Sequence, residues 1–226
     1  MPQYTVTINS DSSLIIEFDG EINLELTRYI LGAKQHIEKA KLAGFIEAVP
    51  AYNSLLIIFS PLFFEPKQRV GEVSELLKAV KPLASSASKT HRIPVCYHAS
   101  VAPDLEHVAS HCQLTTDEVV TLHTANEYPV YMLGFLPGFL YLGNLNSKLH
   151  CPRREDPRPN IKAGSVAIGG DQTGVYPINS PGGWHIIGQT PIALLNTDAK
   201  VPAIAQPLDT IVFEAISLEE FQNYEH

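Results

Sequence analysis

The segment between residues 134 and 191 concentrates side chains of the kinds that bind small molecules. Guanidinium, carboxamide, imidazole and hydroxyl groups recur there in turns rich in Gly and Pro, together with the only tryptophan of the chain. Convergent polar groups on an apolar wall built from loops are typical of a ligand site or a partner interface. The alternative is that the glycines and prolines only form the turns of a scaffold. We predict a site or interface, with these polar and aromatic candidates: Arg153, Arg158, Gln172, Tyr176, Ser180, Trp184 and His185.

The run GFLPGFLYLG, at residues 134–143, places large apolar side chains beside chain breakers. Pro137 and three glycines argue against a regular element over this run. On composition alone it is a barrel turn, but beside the polar loops it becomes a candidate wall of the site. We expect Phe135 to line the site and Phe139 to pack inside.

Other motifs that could carry chemistry give weaker signals. His107 and His111 lie one helical turn apart, which is a spacing of metal ligands, but the Glu of HExxH and an obvious third ligand are missing. We therefore expect a solvated helix face and no metal. His98, at the end of a predicted strand, is retained as a binding candidate. The three cysteines form no CxxC pair, which favours structural free thiols over a nucleophile: Cys96, Cys112 and Cys151.

No GxxxxGK[ST] loop and no GxSxG turn occurs in the sequence. The glycine-rich residues 164–170 contain a predicted strand rather than a helix start, so turn formation explains them better than phosphate binding. Any nucleotide would therefore have to be handled without a P-loop in this chain.

Charge and hydropathy exclude several classes of partner. The formal net charge of −8 argues against nucleic acid, because binding to phosphates needs a basic surface. Basic residues concentrate only at residues 152–159, where two carboxylates accompany three arginines; a small anionic ligand fits this stretch better than a polyanion. No apolar run approaches the ~20 residues of a membrane helix. The N-terminal residues lack the features of a signal peptide, and we expect a cytoplasmic protein.

The first part of the chain predicts a small α+β domain. Its elements follow from apolar periodicity and from turn residues: strands over 4–8 and 14–18, a helix over 22–40, strands over 45–49 and 55–59, and a helix from Pro66 to about Lys81. The polar stretch Ser85–Lys89 is a plausible linker. The predicted domains are therefore residues 1–88 and residues 89–226.

The second part predicts a closed or nearly closed β-barrel. After a strand over 93–97 come helices over 104–111 and 117–125, the latter introduced by a capping box of Thr115 and Glu118. From Val130 onward, short strands alternate with Gly and Pro clusters. These strands are predicted over 130–133, 165–168, 185–188, 193–195 and 210–215.

The sequence resembles the B-subunit family of 5-oxoprolinase, also called the kinase A inhibitor family or the family of the first allophanate hydrolase subunit. The similarity covers nearly the whole chain. The motifs that carry it are IPVCY at 93–97, PDL at 103–105, YMLGFLPGF at 131–139, SPGGW at 180–184 and IGQTP at 187–191.

The resemblance implies an N-terminal α+β domain of the ferredoxin-like type followed by a cyclophilin-like β-barrel. It implies pairing in the cytoplasm with the larger, homologous C-type subunit of 5-oxoprolinase. Together with the A-type subunit, the set converts 5-oxo-L-proline to L-glutamate at the expense of ATP. In the family scheme, the B-type and C-type subunits activate the lactam by phosphorylation and the A-type subunit completes the hydrolysis. Another member inhibits a sensor histidine kinase, so a regulatory binding protein is the alternative; a folding isomerase would rest on fold analogy alone.

Two motifs depart from the family pattern. His98-Ala99-Ser100 stands where many members have Gly-Gly-Glu, which removes a carboxylate and leaves His98 as a different acid–base or hydrogen-bonding group. Pro207-Leu208-Asp209 stands where Pro-Gly-Asp is usual, and we interpret it as a turn variant.

Opening a lactam requires activation of its carbonyl oxygen, because an amide is a poor electrophile. Cations and hydrogen-bond donors must stabilise the charge that develops. We hypothesise that Arg153 or Arg158 binds a carboxylate or phosphate, and that the site is shared with the partner subunit because no complete catalytic set is visible. The catalytic candidates are Arg158, Gln172 and His185; the substrate-binding candidates are His98, Phe135, Arg153, Tyr176, Ser180 and Trp184.

Overall fold

Each of the two parts of the chain is built around its own main hydrophobic core. The computed structural model describes residues 1–84 and 88–224, and the chain forms two compact units, Met1–Ala87 and Ser88–His226. The predicted α+β class with a β-barrel is confirmed. The predicted linker Ser85–Lys89 lies partly outside the described residues, and the boundary between residues 88 and 89 stays a prediction.

The first unit consists of two β-hairpins, each followed by a helix. Its four strands form an antiparallel sheet in the order β1-β2-β4-β3. The resulting order ββαββα differs from the βαββαβ order of a ferredoxin-like domain. The elements are β1 Tyr4–Ile8, β2 Ser13–Phe18, α1 Leu24–Ala40, β3 Phe45–Pro50, β4 Ser54–Phe59, a 3₁₀ turn Pro61–Phe63 and α2 Pro66–Leu77.

Both helices of the first unit are shorter than predicted. Helix α1 begins after Asn23, whose side-chain oxygen accepts a hydrogen bond from the Leu26 amide at 2.9 Å. Ile22 therefore lies outside the helix and is exposed. Helix α2 ends at Leu77, so the apolar pattern that continues to Val80 does not mark the end of the helix.

The second unit is a seven-stranded closed barrel with the strand order β10-β7-β6-β13-β5-β12-β9. A separate two-stranded sheet pairs β8 with β11. The elements are β5 Thr90–Cys96, α3 Leu105–His111, α4 Thr116–Thr124, β6 Glu127–Leu133, β7 Leu140–Leu142, a 3₁₀ turn Ser147–Leu149, β8 Arg158–Ile161, β9 Ser165–Gly169, β10 Gln172–Val175, β11 Ser180–Gly182, β12 His185–Gln189, β13 Thr210–Ile216 and α5 Leu218–Gln222.

Most predicted elements of this unit are confirmed, including the capping box at the start of α4. The strand predicted over 193–195 is wrong: Leu195 makes only an isolated bridge to Ala203, and Leu194 is buried in the core from a loop. The run GFLPGFLYLG does contain a regular element, because Leu140–Leu142 forms β7 between β6 and β10. Among the described residues, none of the helices has the length and apolar character needed to cross a membrane.

A fully buried histidine, His123, is hydrogen-bonded at both ring nitrogens. Its Nδ1 accepts from the Tyr97 hydroxyl at 2.8 Å, and its Nε2 donates to Thr173 Oγ1 at 2.9 Å. This assignment follows because the Thr173 hydroxyl itself donates to the Ala167 carbonyl. The ring also stacks on Phe213 at 4.7 Å between centroids. Burial lowers the pKa of His123 to about 3, so the imidazole is neutral in the folded protein at neutral pH.

The turn before β13 contains a strained residue. Leu208 has a φ of 79°, in the left-handed region that favours glycine. The turn is fixed by the neighbouring Asp209, whose carboxylate accepts from the amides of Lys89 and Gln206 at 2.9 Å each and contacts His91. The turn variant therefore places a leucine in a backbone conformation that favours glycine, at a cost in strain.

Replacing His123 by Gln should reduce the amount by which the free energy of unfolding falls as the pH is lowered below about 6.5. An unfolded histidine binds a proton below about pH 6.5, whereas folded His123 stays neutral down to about pH 3. The unfolded state thus binds more protons in this range, and stability is lost as the pH falls. Urea unfolding of the wild type should lose up to about 1.4 kcal/mol per pH unit more than His123→Gln. The exposed His111→Gln is the control, and equal slopes for wild type and His123→Gln would refute the prediction.

Replacing Leu208 by Gly should stabilise the protein by about 1 kcal/mol, because glycine adopts a positive φ without strain. Leu208→Ala is the matched control, since alanine keeps the Cβ and should gain nothing. Urea unfolding at neutral pH measures both variants. A Leu208→Gly protein no more stable than Leu208→Ala would contradict the prediction.

Candidate functional site

Five aromatic rings form a cluster, which we call the aromatic wall: Phe135, Phe139, Tyr141, Tyr176 and Trp184. The rings meet edge to face, with centroid distances of 5.6 Å from Phe139 to Trp184 and 5.2 Å from Phe139 to Tyr176. This geometry is the favourable one for aromatic pairs. The wall packs on Ala167 and Ile186, whereas the strand neighbours of these residues point into the main barrel core. It therefore lies on the opposite face of β9 and β12.

Two glycines allow rings of the aromatic wall to lie directly against the backbone. A Cβ at Gly169 would lie 2.5 Å from Cδ1 of Trp184, and a Cβ at Gly182 would lie 2.4 Å from the Tyr176 hydroxyl oxygen. Only glycine permits such close approach. The backbone of Trp184 also hydrogen-bonds to the Tyr176 side chain. Gly169 and Gly182 are therefore needed to make room for the aromatic rings and not only to form turns.

Arg153 lies over the aromatic wall. Its guanidinium carbon is 5.7 Å from the centroid of the Trp184 ring, which is a cation–π distance. The side chain is exposed, and the structure gives it no ion pair with any described residue. The guanidinium is therefore available to a carboxylate or phosphate.

Arg158, by contrast, is bound by a buried carboxylate. Its Nη1 and Nη2 donate to the two oxygens of Asp104 at 2.6 and 2.8 Å. Arg154 adds a third bond at 3.2 Å, and the Ile186 amide donates to the same carboxylate at 2.7 Å. Burial acts to raise the pKa of Asp104, but the bonds from Arg158 and Ile186 and the two positive charges outweigh it and lower that pKa.

Asp104 is a residue of the site that sequence reasoning missed. It precedes α3 and is 4% exposed. In the sequence it appeared only as the start of a helix and as part of the PDL motif. Neither position signals the ion pair, because the arginines that bind Asp104 lie 50 and 54 residues further along the chain.

His185 lies apart from the aromatic wall. Its neighbour Ile186 packs on the wall, so His185 points to the other face of β12. There its Nε2 donates to the Pro152 carbonyl at 2.9 Å, and its ring stacks on His107 at 4.6 Å between centroids. Burial lowers the pKa of His185, so the ring is neutral at pH 7.

The remaining candidates occupy different positions. Ser180 is buried, and its hydroxyl has no hydrogen-bond partner among the described residues. Its β11 position pairs with Ile161, which packs in the aromatic wall. Gln172 begins β10 opposite Gly169, beneath Trp184. His98 is separate: it is exposed, contacts Ser100 at 2.9 Å, and lines a different cavity beside Leu105 and α4.

Phe139 packs inside, whereas Phe135 lies at the surface; that Phe135 lines the site stays a prediction. Phe139 is 2% exposed, whereas Phe135 is 61% exposed and has a φ of 67°. A positive φ in a large aromatic residue is strained, and such strain is concentrated at functional loops. The Phe135 ring meets Phe139 edge to face at 5.7 Å and thereby extends the wall to the surface.

The three cysteines are free, as predicted. Burial raises the pKa of the Cys151 thiol to about 11, so the thiol is neutral at pH 7 in the free protein. A neutral thiol is a poor nucleophile, which agrees with the interpretation that Cys151 is not an activated nucleophile.

The chain matches known proteins over nearly all of its length. The family described as "Carboxyltransferase domain, subdomain C and D" matches residues 4–205. The chain is 39% identical to the B subunit of 5-oxoprolinase from Bacillus subtilis, over 98% of this chain and 97% of that protein. It is 37% identical to the B subunit of 5-oxoprolinase from Escherichia coli O157:H7, over 90% of this chain and 92% of that protein.

Two solved structures share the fold. The TTHA0988 protein is 32% identical with a TM-score of 0.78 over 90% of this chain, and this chain spans only 39% of TTHA0988. Kluyveromyces lactis urea carboxylase superposes with a TM-score of 0.83 over 98% of this chain at 18% identity, and 22% of its length is covered. The family match over residues 4–205 and the two full-length relatives confirm the resemblance seen in the motifs. The chain therefore belongs to the family of carboxyltransferase domains, subdomain C and D, together with these B-subunit relatives from 5-oxoprolinases.

Proposed function

We propose that this chain is the B subunit of an ATP-dependent 5-oxoprolinase and that it converts 5-oxo-L-proline to L-glutamate together with the C and A subunits of that enzyme. The observation that carries the proposal is the full-length match to relatives of that name in Bacillus subtilis and Escherichia coli O157:H7. A third relative of the same name, from Haemophilus influenzae, is 34% identical over 93% of this chain. We assign the use of ATP to the complex and not to this chain alone, whose sequence contains no P-loop motif.

Relatives of different length support a partner. In TTHA0988 and in the Kluyveromyces lactis urea carboxylase, the matched region is one part of a longer chain. A region that is fused to further domains in some proteins and is a named subunit in others is expected to work beside a neighbour. We propose that the neighbour here is the homologous C subunit of 5-oxoprolinase. A cytoplasmic location remains a prediction from the sequence.

The aromatic wall supports a site for a small anionic substrate. 5-Oxoproline carries one carboxylate, and an exposed guanidinium above Trp184 suits such a group. Phe135, which is 61% exposed, offers apolar surface for the five-membered ring, and the buried rings of Trp184 and Tyr176 lie behind it. The buried Ser180 hydroxyl, in the neighbouring two-stranded sheet, has no hydrogen-bond partner among the described residues.

We propose that the lactam is activated at the aromatic wall and that the partner subunit supplies the remaining catalytic residues. Transfer of the terminal phosphoryl group of ATP to the lactam oxygen gives ADP and an activated C–N bond. Attack of one water on the activated carbon expels the ring nitrogen as the amino group and leaves an acyl phosphate. A second water then hydrolyses the acyl phosphate to the carboxylate of glutamate and free phosphate. Arginine stabilises the negative charge of such an intermediate. Arg153 is better placed for this role than Arg158, because both terminal nitrogens of Arg158 already donate to Asp104. Gln172 remains a candidate for orienting the substrate at the edge of the wall.

His98 and His185 require a different interpretation. Each lies outside the aromatic wall, His98 beside Leu105 and α4 and His185 beside His107. If either contacts the substrate, the partner must extend the site to that face. We therefore propose Arg153, rather than these histidines, as the primary contact of this chain with the substrate.

The alternative of a sensor histidine kinase inhibitor has less support. The three curated relatives that match over nearly the full length carry the name of an enzyme subunit. The two functions are separable experimentally, because only the enzyme needs 5-oxoproline.

The purified chain should support ATP hydrolysis only in the presence of 5-oxoproline and of its C-type and A-type partners. We expect ADP and glutamate to form in equal amounts with the full set and neither to form with this chain alone. Coupled measurement of ADP and glutamate checks both products, and the two partners without this chain are the control. No 5-oxoproline-dependent ADP from the full set, or inhibition of sensor-kinase autophosphorylation instead, would refute the proposal.

Replacing Arg153 by Ala should lower kcat/KM of the full set by about 10²-fold, the cost typical of losing one charge-stabilising donor. Stability should be unchanged because the side chain is exposed. Arg92→Ala is the matched control, since Arg92 is exposed and pairs with Glu214 at the surface. Arg158→Ala should instead lower both activity and the free energy of unfolding, because Asp104 loses its bidentate partner. Undiminished activity of Arg153→Ala would exclude the proposed contact.

A further inference from the structure

Three side chains with metal-binding atoms converge on the face of β12 opposite the aromatic wall. They are His107 in α3, Cys151 in the loop before β8, and His185 in β12. One donor atom from each lies within 4.8 Å of the other two. These residues are far apart in the sequence, so their spacing gave no motif. The sequence pattern instead paired His107 with His111, and no metal was expected.

His185 shows an independent sign of a missing ligand. The residue is 4% exposed, and its Nδ1 is buried without a hydrogen-bond partner among the described residues. Such an unpaired buried atom costs roughly 1–3 kcal/mol. The other nitrogen, Nε2, donates to the Pro152 carbonyl at 2.9 Å, which leaves a lone pair on Nδ1. Metal-binding histidines usually donate their second ring N–H to a carbonyl or carboxylate in this way.

The geometry requires only a small adjustment to bind a metal. Bond lengths of about 2.3 Å to sulfur and about 2.0 Å to nitrogen place tetrahedral ligand atoms roughly 3.5 Å apart. The donors here therefore need to close by about 1 Å. His107 can supply this movement because its side chain is exposed on α3, whereas Cys151 and His185 are held in the core.

The surrounding charges tolerate a cation. Arg153 and Arg154 both border this cavity. The Arg154 guanidinium is bound to Asp104, and the Arg153 guanidinium lies over the Trp184 ring. Two acidic side chains, Glu155 and Asp156, also line this cavity. A thiolate and two imidazoles form a soft donor set, which selects zinc-like ions over magnesium or calcium.

We infer that His107, Cys151 and Nδ1 of His185 bind one zinc ion, with the fourth coordination position open to the cavity beside Glu155 and Asp156. Three protein ligands with one open position are the arrangement of zinc sites that hold water or substrate. The inference uses other donor atoms than the aromatic wall and does not depend on the proposed function.

Zinc binding to the full chain tests the inference directly. The protein is stripped with a chelator and titrated with zinc alone against a chromophoric competitor. We expect one equivalent to bind, zinc to raise the melting temperature, and excess magnesium not to compete. Cobalt in place of zinc should produce the near-ultraviolet thiolate-to-metal absorption of a Cys ligand.

Single substitutions identify the ligands. Cys151→Ala, His185→Gln and His107→Ala should each weaken zinc binding by more than about 100-fold, beyond the range of outer-shell partners. His111→Ala and Cys112→Ala are the matched controls. His111 is an exposed histidine one turn further along α3, which lines the same cavity but does not belong to the donor cluster, and Cys112 is a partly buried thiol at the end of that helix. Both controls should bind zinc as the wild type does.

The exposed His107→Ala keeps the test decisive even if the buried variants fail to fold. Circular dichroism of the metal-free variants verifies folding. Absence of a stoichiometric zinc equivalent in the wild type would overturn the inference. So would wild-type zinc affinity in a folded His107→Ala protein, or equal loss of affinity in the two controls.

Discussion

The buried carboxylate of Asp104 is the interaction on which the arrangement of the second unit's functional face depends. A carboxylate removed from water is costly unless charges and hydrogen bonds replace its hydration. Here the replacements come from three separate segments: Arg158 in β8, Arg154 in the loop before it, and the Ile186 amide in β12. Because the Asp104 amide also donates to the Ile186 carbonyl at 2.9 Å, the start of α3 is fixed to β12 in both directions.

The hydrogen bonds between Asp104 and Ile186 determine which side chains lie on each face of β12. On one face, Ile186 and Trp184 complete the aromatic wall beneath Arg153. On the other, His185 meets His107 at the middle of α3. The two chemistries are therefore separated by the thickness of one strand, although the sequence places their residues next to each other. A residue such as Arg158, which has the right charge for catalysis, acts here as a structural tie.

Local patterns in the sequence predicted most of the elements but not the site. Short apolar segments bounded by turn residues predicted β1, β2, β9 and β13, and the capping residues predicted the start of α4, because these signals act within a few residues. The run at 193–195 misled, since apolar residues can be buried from a loop as well as from a strand. The short strands β8, β10 and β11 escaped notice because glycine, proline and polar residues dominate them. The pairing of Asp104 with Arg158 and the approach of His107 to His185 arise from tertiary structure, and motif resemblance supplied the family without supplying either contact.

Trp184 has one more consequence, which follows from its being the only tryptophan in the chain. Its indole is 6% exposed, lies against the backbone at Gly169 and has a guanidinium above it. The entire intrinsic indole emission of the protein therefore originates at the aromatic wall. Any event that moves the guanidinium, wets the ring or brings a partner onto this face changes that emission, so the candidate site carries its own optical reporter without a label.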